Sequence, residues 1–373
     1  EDWYFISHRI KMAIFLIKQG YEVHVCCKNT GHLSQIISQH IICHEQFIRR
    51  KSLSIFHFFM EVYKTYKTIK KIQPDIVHFI SLRPIVIGFC TSIFRLKTKF
   101  CCTFTGLGSI FISKNLFHIL LKKMISIFFL ITYRFKSPIV VVQNNDDAVY
   151  LSKVFMTNKK NFFLIKGSGV NTDFYNFTEE PKSKNKITLA YTGRILKDKG
   201  VHWLITSYLQ AKKEIKNLTL ILAGPWDRNN LSAFTKEEFE ELKKINGIHY
   251  VGNVKDVRKV WKKAHIAVLL SKREGLPLGL LEAASMGRSI IATNVPGCRE
   301  IVKNGINGYI VPPGDIKKTK MAILKLSRNN KLRKKFAVKG RTFVKKEMDQ
   351  NIIFSKYLRI YNQLLSINKN EKS

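Results

Sequence analysis

Glu274 and Glu282 stand eight positions apart in Arg273-Glu274-Gly275-Leu276-Pro277-Leu278-Gly279-Leu280-Leu281-Glu282. The strand-like run Ile266–Leu270 precedes them, and Pro277 suits a first helical turn, where its missing N–H costs nothing and its φ is already correct. The spacing predicts that Glu274 ends a loop and that Glu282 sits one turn into a helix, so that two carboxylates face one pocket. The first N–H groups of such a helix point at an anion. Backbone amides for a diphosphate and carboxylates for sugar hydroxyls together suit a nucleotide sugar. The alternative is that two glutamates near a helix start merely complement its dipole.

A second element lies upstream, where Ile187-Thr188-Leu189-Ala190-Tyr191-Thr192-Gly193 reads as a buried strand and 194–200 as the turn into a helix. Arg194 and Lys199 then emerge at a strand's carboxyl end, where ligands of open α/β sheets gather. A guanidinium and an ammonium there would neutralise a leaving diphosphate. Lys199 alone could equally be a solvated surface lysine, since the chain has 64 lysines and arginines.

The order and spacing of these stretches resemble the family 4 retaining glycosyltransferases of the GT-B fold. The likeness also runs through 2–9, Pro74-Asp75-Ile76-Val77-His78, Phe104-Thr105-Gly106-Leu107-Gly108, Gly167-Ser168-Gly169-Val170-Asn171, Leu222-Ala223-Gly224, 296–302 and 307–315. The resemblance implies two Rossmann-like α/β domains facing across a cleft. It gives catalytic roles to Glu274, Arg194 and Lys199: the two cations hold the donor diphosphate and Glu274 the hydroxyls of the transferred sugar, while Glu282 holds the ribose. Donor contacts are expected from Gly193, Arg194, Lys199, Gly275, Leu276, Leu278, Gly279 and Glu282. The reaction implied is retaining transfer of a sugar from a nucleoside diphosphate, a UDP-sugar by resemblance, to a hydroxyl. The acceptor would be lipid-linked or a polysaccharide, as in bacterial lipopolysaccharide or capsule synthesis. No cofactor and no metal are expected, the cations doing the neutralising.

The acceptor side falls to the first half: Trp3, His8, Arg9, Thr105, Gly106 and Gly108. Many relatives carry a histidine where this chain has Thr105, so no catalytic histidine is carried over. His8 could replace it, or could simply be a histidine near a helix start; His78 ends a strand and reads equally as a satisfied structural group. Asn145-Asp146-Asp147 looks like a helix start rather than a metal pair.

Strands and helices alternate throughout, the pattern of parallel sheets with crossover helices. The expected organisation is an acceptor-binding domain over 1–177, a linker over the polar stretch 178–186, a nucleotide-sugar domain over 187–350, and a helix over 351–373 that crosses back to the first domain or packs on its own. Helices are expected over 7–19, 55–72, 85–94, 236–245, 257–263, 277–286 and 352–365. The corresponding strands are 21–27, 75–80, 100–104, 139–143, 162–166, 187–192, 218–223, 248–251, 266–270, 289–293 and 308–311. A doubly wound domain normally opens on a strand, so a further strand is expected ahead of Glu1.

With 373 residues at 45% hydrophobic, the chain has ample core for two domains. Its seven cysteines show no metal-ligand spacing and read as reduced core thiols, the neighbours Cys26-Cys27 and Cys101-Cys102 pointing to opposite faces of their strands. No run reaches the roughly 18 apolar residues of a spanning helix, and no signal peptide is evident, so a cytoplasmic protein is expected.

The net charge of +38 calls for a partner or an environment. Nucleic acid would be drawn by counterion release, yet no finger, RNA-recognition or helix-turn-helix pattern occurs. An anionic inner leaflet would be drawn as well, and a lysine-rich proteome would inflate the charge with no function at all. Lys114–Lys136 reads as a basic amphipathic helix able to lie on a membrane, or as a domain helix on a sheet, and Arg49-Arg50-Lys51 ahead of Phe56, Phe58 and Phe59 is a second candidate contact. The partners expected are thus a nucleotide sugar, a lipid-linked acceptor and an anionic membrane surface, with the protein peripheral on the inner face. A nucleotide-sugar epimerase of similar shape and a basic nucleic-acid-binding protein are the alternatives.

Overall fold

The computed structural model describes residues 1–46, 54–92, 94, 97–106, 116–182 and 186–370, with 116–122, 135–136 and 367–370 described by backbone only. The chain forms two compact units, Glu1–Ser168 with Ile353–Ser373, and Gly169–Ile352. Each is α/β with parallel strands.

The first unit runs α1 (Asp2–His8), α2 (Ile10–Lys18), β1 (His24–Cys27), α3 (Leu33–Ile37), β2 (Ile42–Glu45), α4 (Ile55–Ile72), β3 (Ile76–Ile80), α5 (Leu82–Ser92), β4 (Lys99–Phe104), α6 (Leu116–Lys136), β5 (Ile139–Val142), α7 (Asn145–Val154) and β6 (Phe163–Leu164). Asn144 caps α7, accepting from the Asp147 N–H at 2.8 Å. The helix expected over 7–19 is two helices that break at Arg9.

Strand order in this unit is β1-β2 in one sheet and β3-β4-β5-β6 in another. Alternation divides the core. Phe79, Phe100, Cys102 and Phe104 face Phe89 of α5, Phe129 of α6 and Phe155, while Cys101 and Val141 face Met12 and Leu16 of α2. Cys101 and Cys102 thus point to opposite faces. Cys27 is buried but Cys26 is exposed, and Cys43 and Cys90 are half-buried, so core placement holds for Cys27, Cys101, Cys102 and Cys298 and not for the other three. Among the described residues no group of His, Cys, Asp or Glu could hold a metal ion.

The second unit runs β7 (Ile187–Thr192), α8 (Val201–Lys212), β8 (Leu218–Ala223), α9 (Lys236–Lys244), β9 (Ile248–Tyr250), α10 (Arg258–Trp261), β10 (Ile266–Leu269), α11 (Leu278–Ser285), β11 (Ser289–Thr293), α12 (Pro296–Ile301), β12 (Gly308–Val311), α13 (Ile316–Arg328), α14 (Asn330–Glu347) and the start of α15 (Gln350–Asn370). Its six strands lie in the order β12-β11-β10-β7-β8-β9, all parallel. β10 and β11 are buried along their whole length, which is why they read as unbroken apolar runs. The order reverses between β7 and β10, and the crevice beyond their carboxyl ends is where such a sheet holds a ligand.

The polar stretch, described at 178–182 and 186, belongs to this second unit, and the division falls ahead of it, between Ser168 and Gly169. Two arginines hold it. Fully buried Arg288 donates to the carbonyls of Thr178, Glu179, Met286 and Ala264, and Arg333 makes a two-pronged bond to Glu180 at 2.8 and 2.9 Å.

α15 carries Ile353, Tyr357, Ile360, Tyr361 and Leu364 onto the first unit's sheet. Tyr361 and Thr103 take both ring nitrogens of buried His78, at 2.6 and 2.7 Å. Burial, reinforced by the charge of Arg9, pushes His78 down to about 3 from its ordinary 6.5. Because the folded value lies below the unfolded one, the stability tied to neutral His78 is complete above 6.5 and is lost as pH falls toward 3. The expected slope from this group is at most about 1.4 kcal/mol per pH unit. Urea denaturation of His78→Gln, compared with the natural chain at about pH 7 and about pH 5, should show a smaller loss on acidification.

Candidate functional site

β7 ends at Thr192, and Gly193 turns away from it with φ +144°, its N–H donating to Ala223 at 2.9 Å. The chain then passes Arg194 and makes a short 3₁₀ turn over Lys197–Lys199 before α8. Gly200 closes that turn with φ +70°, and a Cβ there would lie 2.0 Å from the Leu270 carbonyl oxygen. Only a glycine lets this turn press on the end of β10. The contact brings Lys199 against the loop after β10, and Lys199 Nζ lies 2.6 Å from Glu274 Oε1. The same oxygen accepts from Ser271 Oγ at 2.5 Å. Side-chain exposure is 26% for Lys199 and 9% for Glu274, so the pair is largely shielded from the solvent that weakens surface ion pairs.

The loop is fixed from its other side as well. The Gly297 N–H at the start of α12 donates to Glu274 O at 3.1 Å, and Lys272 N–H donates to Asp198 O at 2.9 Å. α11 follows, with Pro277 one position earlier than expected, as its N-cap, and with no side-chain cap. A Cβ on Gly279 would lie 2.4 Å from Thr192 Oγ1, so the helix start abuts the end of β7. The N–H groups of Leu278 and Gly279, at the positive end of the helix, therefore stand beside the point where the sheet reverses its order. Gly275 and Leu276 lie in the loop that leads to it.

Of the four charged residues singled out above, Lys199 and Glu274 are directly joined. Arg194 closes on Asp227 instead, Nη1 to Oδ2 at 3.1 Å, both side chains at least a third exposed. Arg194 and Glu274 nevertheless share a neighbourhood: the Tyr191 hydroxyl donates to Arg194 O at 2.6 Å, and its pKa, raised mainly by burial, is pushed up further by Glu274 and down by Arg194. Glu282 lies one turn into α11 and is hydrogen-bonded to Tyr175, whose phenol is pushed up by burial and then by the Glu282 charge. Tyr175 is set by Arg341, which donates to the carbonyls of Thr172, Tyr175 and Ser285 at 2.9, 3.1 and 3.2 Å. Nearby, Arg258 pairs with Asp256 and lies 3.8 Å over the Phe174 ring.

Asp227, Tyr175 and Ser271 had no signal in the sequence. Each partners a residue of the site, but Asp227 and Tyr175 do so across long stretches of chain and without a motif of their own.

The first unit places its candidates differently. Trp3 is 40% exposed and donates Nε1 to Glu1 at 2.9 Å. His8 stacks on Tyr4 and bonds Ser7 Oγ at 2.6 Å; burial, then the Arg9 charge, pushes it down to about 4, so it is neutral near pH 7. Arg9 is a correction: its side chain is buried with its guanidinium 5.5 Å over the Tyr357 ring, because it breaks the helix pair beneath α15 and turns inward, out of reach of a solute. Thr105 and Gly106 follow β4, Gly106 with φ +124°. Gly108 and Arg49-Arg50-Lys51 lie outside the described residues.

Comparison with known proteins gives two family models laid end to end. "Glycosyl transferase 4-like" matches residues 1–141 and "Glycosyl transferases group 1" matches residues 174–343. An uncharacterized glycosyltransferase of Methanocaldococcus jannaschii is 31% identical over 50% of this chain and 47% of its own length. The Staphylococcus aureus capsular polysaccharide glycosyltransferase CapM is 29% identical over 48% and 47%. This chain thus spans about half the length of both. A Campylobacter jejuni N,N'-diacetylbacillosaminyl-diphospho-undecaprenol alpha-1,3-N-acetylgalactosaminyltransferase is 24% identical over 85% and 84%. Among solved structures, a glycosyltransferase of Rickettsia africae superposes with TM-score 0.76 at 21% identity, covering 95% of this chain and 93% of the other. Anabaena HepE in complex with UDP and glucose gives 0.74 at 16%, covering 95% and 94%. At those identities the superpositions speak for the fold.

Replacing Gly200 by alanine puts a methyl into the Leu270 carbonyl at a positive φ. Chemical denaturation should register a loss of about 2 kcal/mol or more. A Gly200→Ala protein as stable as the natural chain would mean that the Lys199 turn does not press on β10.

Proposed function

The chain belongs to the family 4 glycosyltransferases, and from that premise we propose that it moves a sugar, with retention, from a UDP-sugar to a hydroxyl of a lipid-linked saccharide in cell-surface glycan synthesis. The observation that carries this reading is the Lys199–Glu274 pair, held at the β7–β10 reversal beside the uncapped start of α11. Such a place offers a diphosphate two kinds of donor, side-chain cations and helix N–H groups, and offers sugar hydroxyls a carboxylate.

In this reading the bond from the sugar's anomeric carbon to the diphosphate breaks, the acceptor hydroxyl's oxygen takes its place on the same face of the sugar, and the hydroxyl proton passes to the departing diphosphate. Lys199, Arg194 and the Leu278 and Gly279 N–H groups meet the negative charge that grows on the departing diphosphate, and they accelerate the reaction to the extent that this contact strengthens in the transition state. Asp227 holds Arg194 until a diphosphate outcompetes it, an exchange the exposure of that pair makes inexpensive. Glu274 orients the transferred sugar and Glu282 the ribose, with Tyr175 setting the Glu282 carboxylate. UDP as the nucleotide is supported by the Anabaena complex, and a lipid-diphosphate acceptor by the name of the Campylobacter relative.

Arg194→Ala and Lys199→Ala should each lower turnover by about 10²- to 10³-fold, while the unfolding free energy from urea denaturation stays within about 0.5 kcal/mol of the natural chain for exposed Arg194. UDP should raise the melting temperature of the natural protein more than ADP or GDP does, and Glu282→Gln should shrink that rise. No response to any uridine nucleotide would defeat the assignment. Conversion of the donor without an acceptor would make the protein an epimerase.

The membrane location rests on a separate surface. α4 leaves Ile55, Phe56, Phe59 and Tyr63 exposed beside Lys67, Lys70 and Lys71, and α6 leaves Met124, Ile127 and Ile131 exposed on one face while Phe129 is buried on the other. Among the described residues no helix is long and apolar enough to cross a membrane. Exposed aromatics flanked by lysines suit the interface of an anionic bilayer. Phe56→Ser with Phe59→Ser should weaken co-sedimentation with phosphatidylglycerol vesicles by roughly tenfold or more, and binding to purely zwitterionic vesicles should be weak for both proteins.

A further inference from the structure

The crossover from β9 to β10 carries only α10, a helix of four residues, and so leaves part of one sheet face uncovered. Register places Thr188 of β7 opposite Thr219 of β8, and Ile221 of β8 opposite His249 of β9, so these four side chains share that face. With Val251, Val254 and Val260 they line a cavity of about 610 Å³, the size of a small-ligand site. It is not the donor site. The cavity extends to the amino ends of β7 and β10, marked by Thr188 and His265, whereas Arg194 and Glu274 follow the carboxyl ends of those strands. None of the residues assigned to the donor lines it.

Two kinds of surface meet in this cavity. Buried Ile221 and Val260, with Val251 and Val254, give it an apolar wall. Against that wall stand three exposed lysines, Lys259, Lys262 and Lys263, three and four positions apart on the helical turn of the crossover and thus on one side of it. No carboxylate lines the cavity among the described residues. Asp256, just upstream, is held by Arg258 at 2.9 Å, and Glu180 is held by Arg333 at 2.8 Å, so among the described residues no ion pair engages the three ammonium groups. The Thr188 and Thr219 hydroxyls, 3.2 Å apart, add hydrogen-bonding groups. Lysines gathered without a carboxylate suit a group with more than one negative charge, a phosphate. Inorganic phosphate would leave the apolar wall in water. A nucleotide or a nucleic acid would find no Phe, Tyr or Trp to stack on. A phosphate joined to a hydrocarbon meets both surfaces.

We propose that this cavity is a second ligand site, for a phosphate-bearing amphiphile whose phosphate is held by Lys259, Lys262 and Lys263 and whose hydrocarbon covers Ile221, Val251, Val254 and Val260. The phosphate belongs either to a dissolved phosphate ester or to a lipid headgroup. The site stands whether or not the chain transfers a sugar, since it shares no residue with the donor site.

Isothermal titration of the natural chain with butyl, hexyl and octyl phosphate, each below its micellar concentration, reads the site. One equivalent should bind, and affinity should rise by about tenfold for each added pair of CH₂ groups. Lys259→Glu with Lys263→Glu should weaken octyl phosphate by about tenfold or more, with the melting temperature unchanged. Two control pairs should leave it as it is: Arg194→Ala with Lys199→Ala at the donor site, and Lys335→Glu with Lys339→Glu, exposed on α14 and outside the cavity. Affinity that does not grow with chain length, or that falls as much in the α14 pair, reports only the pull of the net charge and overturns the site. Loss in the Arg194 and Lys199 variant puts the ligand at the donor site and overturns it as well. Should the Lys259 and Lys263 variant fail to fold, hydrogen exchange of the natural chain decides the point: octyl phosphate should protect 186–188 and 259–265, and protection elsewhere alone overturns the site. Co-sedimentation with phosphatidylglycerol vesicles separates the two sources of phosphate. A loss in the Lys259 and Lys263 variant beyond that of the α14 pair supports the site with a lipid headgroup in it, and an equal response supports it with a dissolved ester.

Discussion

The ion pair between Lys199 and Glu274 exists because two loops leave neighbouring strands at the place where the sheet of the second unit reverses its order. β7 and β10 are separated by more than seventy residues of sequence and lie side by side, so whatever follows each strand meets over their carboxyl ends. What converts proximity into contact is the lack of a side chain at Gly200, which lets a positive-φ turn rest on the Leu270 carbonyl. The cation then falls within reach of a carboxylate already held by Ser271 and, through its main chain, by Gly297. Several independent constraints fix one pair of atoms, the condition for a site that keeps its geometry when a ligand arrives.

Around that pair the charges are arranged with different firmness. Glu274 is nearly buried and doubly bonded, whereas Arg194 and Asp227 form an open pair that solvent weakens. Glu282 is tied to Tyr175, itself strapped to the end of α11 by Arg341 and Ser285. A firmly held centre thus lies beside one solvent-exposed cation, the arrangement that the proposed donor would meet. The net charge of +38 adds a long-range attraction for anions that needs no contact at all.

Much of the fold was legible because the parallel strands are buried on both faces. The runs 187–192, 218–223, 289–293 and 308–311 coincide with β7, β8, β11 and β12, and the helix over 55–72 with α4. Legibility failed where an element is short or half-exposed. β2 and α3 have four and five residues with mixed polarity, and β6 keeps only Phe163–Leu164 of the strand expected over 162–166 because its pairing with β5 spans two residues. The single helix read over 7–19 hid a break at Arg9, since apolar periodicity runs through it and the cause, an arginine drawn in beneath Tyr357, is tertiary.

At the site the division is similar. Glu274, Glu282, Arg194 and Lys199 were visible from residue type and from position at strand ends and a helix start, because local chain geometry dictates those positions. Which of them touch was not visible: Lys199 finds Glu274, Arg194 finds Asp227, Glu282 finds Tyr175, and Arg9 finds the core. Residue order alone determined the alternation of strand and helix, the chemistry available at each strand end and the excess of positive charge, since all three are properties of short stretches or of sums. Only the tertiary structure decided the partners, because a hydrogen bond or an ion pair depends on distances of a few ångströms between residues that the chain itself holds far apart.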